Sequence, residues 1–545
     1  MDSTMGDSPL TVTAILRHGT GVFADCTVTT ATSDGSRQLT YGELGERVAQ
    51  LAHGLRAIGV TGDQRVATLM WNNQEHLQAY FAVPAMGAVL HTLNIRLTGE
   101  QLAYIANQAE DQVVLVDASL TSVLATALPD MSTVHTVIVV GGGNIEPLAS
   151  AGKNVIDFDD VVAGQPTAFD WPELDERSAA AMCYTSGTTG NPKGVVYSHR
   201  STYLHSMAVC STNGLTVTAG DRILPIVPMF HANAWGLPYA ALMAGADLVL
   251  PDRYLQADRL IDMIETHEPT IAGAVPTIWN DVLQSLERAP DRDISSLRVV
   301  PCGGSAVPMA LMKQFSDQYG VTIRQAWGMT ETSPLAAVAW PSENAPEELR
   351  WAQRATQGRP ICGVEARIVD DGGTVLPNDG AAVGELEVRG PWVTTSYYRD
   401  DDTSKFEAGW LRTGDVGRID RHGFITLTDR AKDVIKSGGE WISSVELEHH
   451  IMEHPDVVEA AVVAVPDDRW QERPLAAVVL KDGAAVTATQ LRGHLSDRVV
   501  RWWLPERWTF IDQVPRTGVG KFDKKLIRSH YADGVYDVVD CRTED

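Results

Sequence analysis

The N-terminal half of the chain alternates between segments with helical spacing and short apolar runs. Between residues 44 and 55, apolar residues recur at intervals of three and four, which is the spacing of one face of an α-helix. Thr40 and Glu43, just before them, have the spacing of a capping box, and Gly59 follows the last apolar position. This pattern predicts a capped amphipathic helix that ends before Gly59.

The apolar runs at 66–71, 113–116 and 137–140 are short enough to be buried strands, and a helix-like stretch from Gln74 follows the first of them. Buried strands that alternate with helices are typical of parallel sheets covered on both faces. The sequence therefore predicts an α/β fold in which layered sheets form a large N-terminal domain.

The pattern changes near residue 360. Short runs at 364–370, 384–389, 410–420 and 423–429 are separated by glycine and Asp-Gly turns, which predicts a β-rich, barrel-like subdomain over about 360–428. After Arg430 the pattern becomes mixed α+β, with a second capping box at 443–446 and a buried strand at 460–465. We place the domain boundary at Asp429 and Arg430, so that residues 1–429 form the N-terminal domain and residues 430–545 the C-terminal domain.

Charge limits the class of partner. The 545 residues include 44 Lys and Arg against 70 Asp and Glu, a net charge of −26, which disfavours a nucleic-acid partner. The residues before Arg430 carry −22 and the rest −4, whereas the stretch 516–528 carries +4. Any phosphate group must therefore bind at a local site.

The chain is expected to be cytoplasmic. The six cysteines have no paired spacing typical of disulfide or zinc frameworks. No apolar run is long enough to cross a bilayer, and the first residues lack a charged segment followed by an apolar one. We therefore predict no transmembrane segment; peripheral membrane contact stays open.

The segment from Tyr184 to Gly194 combines hydroxyls, glycines and Lys193 directly after a predicted strand. Such a loop can present backbone N–H groups, hydroxyls and one cation to a polyphosphate. It is not a Walker loop, because Gly194 follows Lys193 where that motif requires Ser or Thr.

Four further segments stand in a recognisable order with this loop: 327–332, 409–415, 429–440 and 515–521. Together they resemble the acyl-adenylate-forming superfamily, which includes acyl-CoA synthetases, firefly luciferase and the adenylation domains of peptide synthetases. The resemblance covers essentially the whole chain and is strongest to bacterial medium- and long-chain fatty acyl-CoA synthetases. It implies that a hinge joins the large domain to a small, mobile C-terminal domain.

The resemblance also implies a reaction. A carboxylate attacks the α-phosphorus of ATP to give acyl-AMP and pyrophosphate, and the thiol of CoA then attacks the acyl-AMP. Mg²⁺ is the implied cofactor, held by Glu331 and Thr185, while Lys521 bridges the carboxylate and the α-phosphate. Lys436 is the remaining catalytic candidate, from the face of the small domain that serves the second step.

The family pattern assigns the other site residues. Asp429 matches the hinge, and Gly438, Gly439 and Glu440 match the face that meets CoA. The nucleotide-binding candidates are Ser186, Gly187, Thr188, Thr189, Gly190, Lys193, Gly303, Gln325, Ala326, Trp327, Thr330, Asp415, Arg430, Lys432 and Trp441. In the family, Asp415 would bind the ribose, Trp327 the adenine and Thr330 the α-phosphate.

The acyl pocket is assigned to His231, Ala232 and Trp235, in a stretch that resembles the fatty-acid tunnel of the long-chain synthetases. Trp235 would be the gate of that tunnel; the alternative is an ordinary core aromatic. Because no acid in this stretch would pair with an amino-acid ammonium, a medium- to long-chain fatty acid is favoured as substrate. An aryl- or short-chain acid, a carrier protein as acyl acceptor, and an inactive binding homologue stay open, and the resemblance leaves a homodimer open.

Overall fold

The computed structural model describes residues 1, 3–143, 145–149, 151–185, 191–370, 372–430, 433, 435–437, 440–516 and 522–544. The α-helices are α1 Val12–Val22, α2 Tyr41–Ala57, α3 Gln74–Ala85, α4 Gly99–Ala109, α5 Thr121–Ala127, α6 Glu146–Ala149, α7 Phe158–Val162, α8 His199–Cys210, α9 Leu237–Ala244, α10 Ala257–His267, α11 Pro276–Arg288, α12 Met309–Tyr319, α13 Glu347–Arg354, α14 Ser444–Met452, α15 Ala488–Ser496 and α16 Lys524–Ala532.

The first fifteen strands are β1 Thr27–Ala31, β2 Ser36–Thr40, β3 Arg65–Leu69, β4 Val89–Thr92, β5 Asp111–Asp117, β6 Thr136–Val140, β7 Asn154–Asp157, β8 Ala179–Tyr184, β9 Gly194–Ser198, β10 Arg222–Pro225, β11 Asp247–Leu250, β12 Ile271–Gly273, β13 Val300–Cys302, β14 Ile323–Gly328 and β15 Leu335–Val338. The others are β16 Arg359–Pro360, β17 Glu365–Val369, β18 Gly384–Arg389, β19 Phe406–Glu407, β20 Trp410–Ile419, β21 Ile425–Arg430, β22 Ile435–Ser437, β23 Glu440–Ile442, β24 Val457–Asp467, β25 Gln471–Leu480, β26 Arg507–Phe510 and β27 Val538–Asp540.

Local sequence signals explain where several helices begin. Thr40 caps α2 in a reciprocal capping box with Glu43, as the spacing predicts. Asn73 caps α3, and Ser443 caps α14 by accepting from the backbone N–H of Glu446. The side-chain oxygens satisfy N–H groups that the first turn of a helix leaves unpaired.

The large domain is built on layered sheets, as predicted. A seven-stranded sheet has the order β7-β6-β5-β3-β4-β8-β9 and is parallel except for the β8–β9 pair. A five-stranded sheet has the order β12-β10-β11-β1-β2, and a four-stranded one the order β13-β14-β15-β16. The predicted strands at 113–116 and 137–140 lie side by side and parallel as β5 and β6.

The β-rich segment forms an antiparallel five-stranded sheet of β17, β18, β20, β19 and β21. The C-terminal part is an α+β unit around a six-stranded sheet, in which β24 pairs with β25 along ten residue pairs. Its own apolar core includes Ile435, Leu447, Ile451, Leu491 and Trp508, all buried. Among the described residues, no helix is both long and apolar enough to span a bilayer.

The loops that carry the site leave the carboxyl ends of parallel strands. Residues 71–73 follow β3, residues 226–236 follow β10, and residues 303–308 follow β13. These strands belong to three different sheets, and direct contacts bring two of the loops together, since Asn72 donates to the carbonyls of Pro225 and Val227. Ligands commonly bind beyond the carboxyl ends of strands in open α/β sheets. The fold thus collects segments that are far apart in sequence.

Candidate functional site

The phosphate loop is closed at its base by the strands that flank it. Tyr184 at the end of β8 pairs with Gly194 at the start of β9. The backbone N–H of Thr185 donates to the Lys193 carbonyl at 2.9 Å, and the Lys193 N–H donates to the Thr185 hydroxyl at 3.1 Å. Ser186, Gly187, Thr188, Thr189 and Gly190 lie outside the described residues.

Lys193 is held by two carboxylates. Its Nζ lies 3.0 Å from Asp400 and 3.2 Å from Asp402, and it also sits 4.9 Å from the ring centre of Tyr397. Burial opposes the charged ammonium, but the hydrogen bonds to the two carboxylates outweigh it and raise the pKa of Lys193. The cation therefore stays charged, as a phosphate-binding group must be.

Glu331 lies in the short helical turn that follows β14, and it is buried. Tyr397 donates its hydroxyl to the Glu331 carboxylate at 2.6 Å, and the N–H of Thr394 donates to the Glu331 carbonyl. Tyr197 donates to the carbonyl of Thr330. Tyr397 therefore contacts both Lys193 and Glu331 and links the phosphate loop to the acidic residue.

Trp327 and Asp415, which are 88 residues apart, meet directly. The indole N–H of Trp327 donates to the Asp415 carboxylate at 2.9 Å, and both residues are buried. The side chain of Gln325 accepts from the N–H of Val307 and so fixes the loop after β13. These residues line a cleft of about 700 Å³, whose other wall comes from α14 of the small domain.

Trp235 stands in an unusual backbone segment. The five residues from Ala232 to Gly236 all have positive φ, between 42° and 74°, which is a left-handed turn. Trp235 is 8% exposed, and its indole lies against two glycines. A Cβ added at Gly273 would lie 3.7 Å from the indole, and one added at Gly303 would lie 3.5 Å from it. A Cβ at either glycine would be in ordinary van der Waals contact with the tryptophan, so the indole packs closely against both backbones.

Polar residues that the sequence did not single out hold this segment. Asn72 donates to the carbonyls of Pro225 and Val227 and accepts from the N–H of Met229 at 2.7 Å. Tyr80 donates to the Met229 carbonyl. These contacts join residues about 150 positions apart, so local sequence carries no signal for them.

One further acid supports Asn72 through its neighbours. Asp117, at the end of β5, accepts from the backbone N–H of Trp71 at 2.6 Å and from the side chain of Asn73 at 3.0 Å. Burial raises the pKa of Asp117 to about 7, although the hydrogen bond from Trp71 opposes the rise. Through these two hydrogen bonds Asp117 fixes the loop at 71–73. Asn72 in that loop holds residues 225–229, which precede the predicted acyl-pocket stretch.

Comparison with known proteins identifies the family. A family model described as "AMP-binding enzyme" matches residues 22–398, and one described as "AMP-binding enzyme C-terminal domain" matches residues 446–521. The chain belongs to the AMP-binding enzyme family.

Characterised relatives resemble this AMP-binding enzyme along nearly its whole length. It is 41% identical to a 3-methylmercaptopropionyl-CoA ligase of Ruegeria pomeroyi, over 96% of this chain and 98% of the relative. It is 42% identical to a medium-chain-fatty-acid–CoA ligase of Ectopseudomonas oleovorans, over 93% of each. A crystal structure of an anthranilate CoA ligase with anthranoyl-AMP matches with a TM-score of 0.87 at 26% identity, covering 97% of this chain and 99% of that one.

These matches show that the AMP-binding enzyme is an acid–CoA ligase. AMP-binding CoA ligases use ATP and CoA as substrates together with Mg²⁺. The residues present fit the metal. Glu331 offers a buried carboxylate and Thr185 a hydroxyl, both hard oxygen donors, and Mg²⁺ is usually bound by one or two carboxylates together with substrate phosphates. Thr185 is the last described residue before segment 186–190 of the phosphate loop, whose hydroxyls and backbone N–H groups would meet those phosphates.

Several predicted site residues lie outside the described part of this AMP-binding enzyme. They are Lys432, Gly438, Gly439 and Lys521, together with the side chains of Asp429, Arg430, Lys436, Glu440 and Trp441. The backbone places Asp429 and Arg430 at the end of β21, and pairs Lys436 with Trp441 in the β22–β23 hairpin. Their roles stay predictions.

Proposed function

We propose that this AMP-binding enzyme is a fatty acid–CoA ligase that acts on medium- to long-chain acids. The observation that carries the proposal is the apolar packing of the predicted acyl-pocket stretch, where the buried Trp235 lies against Gly273 and Gly303. Apolar surroundings favour an apolar chain, since burying an unpaired charge among them would be costly. The medium-chain relative supports the same substrate class.

The first step needs the carboxylate and the α-phosphate, both anionic, to be brought together. Lys193 and Lys521 supply cations, Thr330 a hydroxyl for the α-phosphate, and Asp415 acceptors for the ribose hydroxyls. Bound Mg²⁺, held by Glu331 and Thr185, would neutralise charge on the phosphate oxygens. Gln325, Ala326 and Trp327 line the adenine side, and Trp327 also orients the Asp415 carboxylate through its indole N–H.

The second step uses another face of the small domain. We place the hinge at Asp429, with Arg430 beginning the C-terminal domain, so that rotation withdraws Lys521 and presents Lys436 with Gly438, Gly439 and Glu440 to CoA. Lys432 and Trp441 then exchange nucleotide contacts for CoA contacts. The antiparallel pairing of β22 with β23 supports this arrangement, because it places Lys436 opposite Trp441.

A chain-length series tests the substrate. Purified full-length protein receives ATP, Mg²⁺, CoA and acids from acetate to palmitate, with 3-methylmercaptopropionate, benzoate and anthranilate as competitors of other classes. We expect the highest kcat/KM for an acid of medium or greater length. A maximum for 3-methylmercaptopropionate or an aromatic acid would replace the fatty-acid proposal, and no AMP release with any acid would indicate an inactive homologue.

The acyl acceptor and the gate need separate measurements. Thioester formed with CoA, and none with a phosphopantetheinylated carrier protein, would support CoA as acceptor; the reverse would contradict it. For Trp235→Ala we expect fatty-acid binding that no longer depends on prior ATP binding. If the order of binding is unaltered, Trp235 is a packing residue.

A further inference from the structure

Four basic residues beside the proposed site have no carboxylate within ion-pair distance in the part of the chain that the structure describes. We call it the basic cluster: Lys313 on α12, Arg324 on β14, and Arg350 and Arg354 on α13. Among the described residues, no carboxylate lies within ion-pair distance of its three guanidinium groups, although Asp and Glu outnumber Lys and Arg in this chain by 70 to 44. Buried arginines elsewhere are paired, for example Arg473 with Glu506 and Arg507 with Asp467.

The three guanidinium groups are partly buried, and some of their N–H donors have no hydrogen-bond partner among the described residues. The Nε and one terminal nitrogen of Arg324, and the Nε atoms of Arg350 and Arg354, are inaccessible to solvent and make no hydrogen bond. Leaving a buried donor unpaired, on a charged group above all, is costly, so such donors are normally satisfied by protein, water or ligand. Burial, and then the charge of Arg354, lower the pKa of Arg324 to about 10.

Two tryptophans hold the cluster in place. The Arg324 guanidinium lies 4.4 Å from the ring centre of Trp340, whose indole N–H is anchored on the carbonyl of Gly214 at 2.7 Å. Arg354 and Lys313 lie 4.6 and 5.7 Å from the ring of Trp351. A guanidinium that stacks on a ring keeps its terminal N–H groups at the ring's edge, and the terminal nitrogens of Arg350 and Arg354 are not among the atoms that solvent cannot reach.

The spacing on α13 brings the donors together. Arg350 and Arg354 are four residues apart and therefore share one face of the helix, and their charges repel each other, which contributes to a lowered pKa of Arg354 after burial. Glu347, on the first turn of α13, acts in the opposite direction and raises the pKa of Arg354, but its carboxylate lies beyond ion-pair distance. An anion of more than one charge would relieve it.

We propose that the basic cluster is a binding site for a phosphate-type oxyanion. Guanidinium groups bind phosphate through paired N–H···O bonds, and three of them match a dianion better than a single carboxylate. Lys313 also lines the cleft between the two domains, whereas the three arginines do not, so one edge of the cluster borders that cleft. The same chemistry is offered by free phosphate and by a phosphate group of CoA.

Binding of inorganic phosphate tests the site directly. The full chain, with AMP added to fill the nucleotide site, is titrated with phosphate by calorimetry, against chloride at equal ionic strength. We expect saturable binding that weakens at least tenfold in Arg354→Gln and in Arg324→Gln, and that is unchanged in Arg288→Gln, an exposed arginine at the end of α11. No phosphate binding beyond the chloride response, or equal binding by all variants, overturns the proposal.

Thermal unfolding separates a lost site from a damaged fold. Without phosphate, Arg354→Gln should have a Tm at least equal to that of the wild type, because one of several repelling charges is gone. With phosphate, the Tm of the wild type should rise and that of the variant should not. A Tm that rises equally in both proteins counts against the proposal.

Two forms of CoA identify the source of the phosphate. The comparison of the two KM values rests on the proposed function, whereas the phosphate titration does not. A failure of the proposed function can therefore be told apart from a failure of the phosphate site. If the ligand is the 3′-phosphate of CoA, the ratio of KM for dephospho-CoA to KM for CoA falls toward one in Arg354→Gln. If that ratio is unchanged while phosphate binding is lost, the ligand is a free phosphate.

Discussion

At the scale of single residues, the site depends on polar groups that hold one another. Glu331 is oriented by Tyr397, Asp415 by Trp327, and Asn72 fixes the acyl segment through three backbone groups. Each of these pairs joins distant parts of the chain. These residues are thus positioned by hydrogen bonds from distant parts of the chain.

Tyr397→Phe should weaken Mg²⁺ activation. The variant loses the hydrogen bond to the Glu331 carboxylate, and removing such a partner of a metal ligand typically costs tenfold or more in metal affinity. We expect the Mg²⁺ concentration for half-maximal activity to rise about tenfold. Tyr398→Phe, which alters a neighbouring tyrosine without this bond, is the matched control, and equal Mg²⁺ dependence of the two variants would contradict the assignment of Glu331.

Asp117→Asn should change how stability depends on pH. The pKa of Asp117 is raised from 3.8 to about 7, so the folded chain binds this proton more tightly than the unfolded chain and loses stability as pH rises through that interval. Asparagine keeps an acceptor and removes the titration. Relative to wild type, the variant should gain about 2–3 kcal/mol between about pH 5 and about pH 8.

Denaturant unfolding at the two pH values measures this gain. Asp130→Asn is the matched control, because Asp130 is exposed. An Asp117→Asn gain that does not grow with pH would indicate that the carboxylate is ionised in the folded protein throughout.

At the scale of elements, the left-handed turn from Ala232 to Gly236 is the least expected feature. Each non-glycine residue in this conformation costs about 1 kcal/mol, so the surrounding contacts must hold it. Asn233 is one anchor, since its side chain accepts from the thiol of Cys183 at 3.2 Å. The turn places the Trp235 indole between two glycines instead of along a helix face.

Gly236→Ala should destabilise this element. Gly236 has φ 74°, and an added Cβ would lie 2.7 Å from the ring of His205, which is buried. Backbone strain and the clash together should cost about 2–3 kcal/mol and lower the Tm. Gly220→Ala is the matched control because no atom lies within 4 Å of its added Cβ; an equal Tm for both variants would show that the turn can shift without cost.

At the scale of the whole molecule, the two domains differ in charge and share one cleft. The acidic excess lies in the large domain, whereas the stretch 516–528 of the small domain is positive. The cleft has walls from both domains. If the small domain rotates as we propose, the groups that face the cleft would differ between the two half-reactions.

Lys521→Ala should separate those half-reactions. We expect loss of acyl-AMP formation, measured by acid-dependent exchange of pyrophosphate into ATP, because the lysine would bridge the two reacting anions. Thioester formation from supplied acyl-AMP should continue at a rate near that of the wild type. Lys525→Ala, another lysine of the positive stretch, is the control; equal loss of both steps in Lys521→Ala would contradict the use of separate faces.

The sequence by itself determined the class of the fold, many of its elements and the reaction class. Helical spacing with a cap located α2, apolar runs located β5 and β6, and the Ser/Thr/Gly segment before Lys193 indicated phosphate binding. These features are local, because a cap, a strand or a phosphate loop is encoded within about a dozen residues.

Only the tertiary structure decided the features that depend on long-range contacts. No local pattern connects Lys193 with its carboxylates, Glu331 with Tyr397, or the members of the basic cluster. The left-handed turn at Trp235 likewise depends on contacts with distant segments. Ala and Trp disfavour positive φ, although Asn tolerates it better, so sequence propensity predicts a different backbone for most of 232–235. Long-range contacts hold this backbone against propensity, because Asn233 accepts from the Cys183 thiol and the Trp235 indole packs beside Gly273 and Gly303.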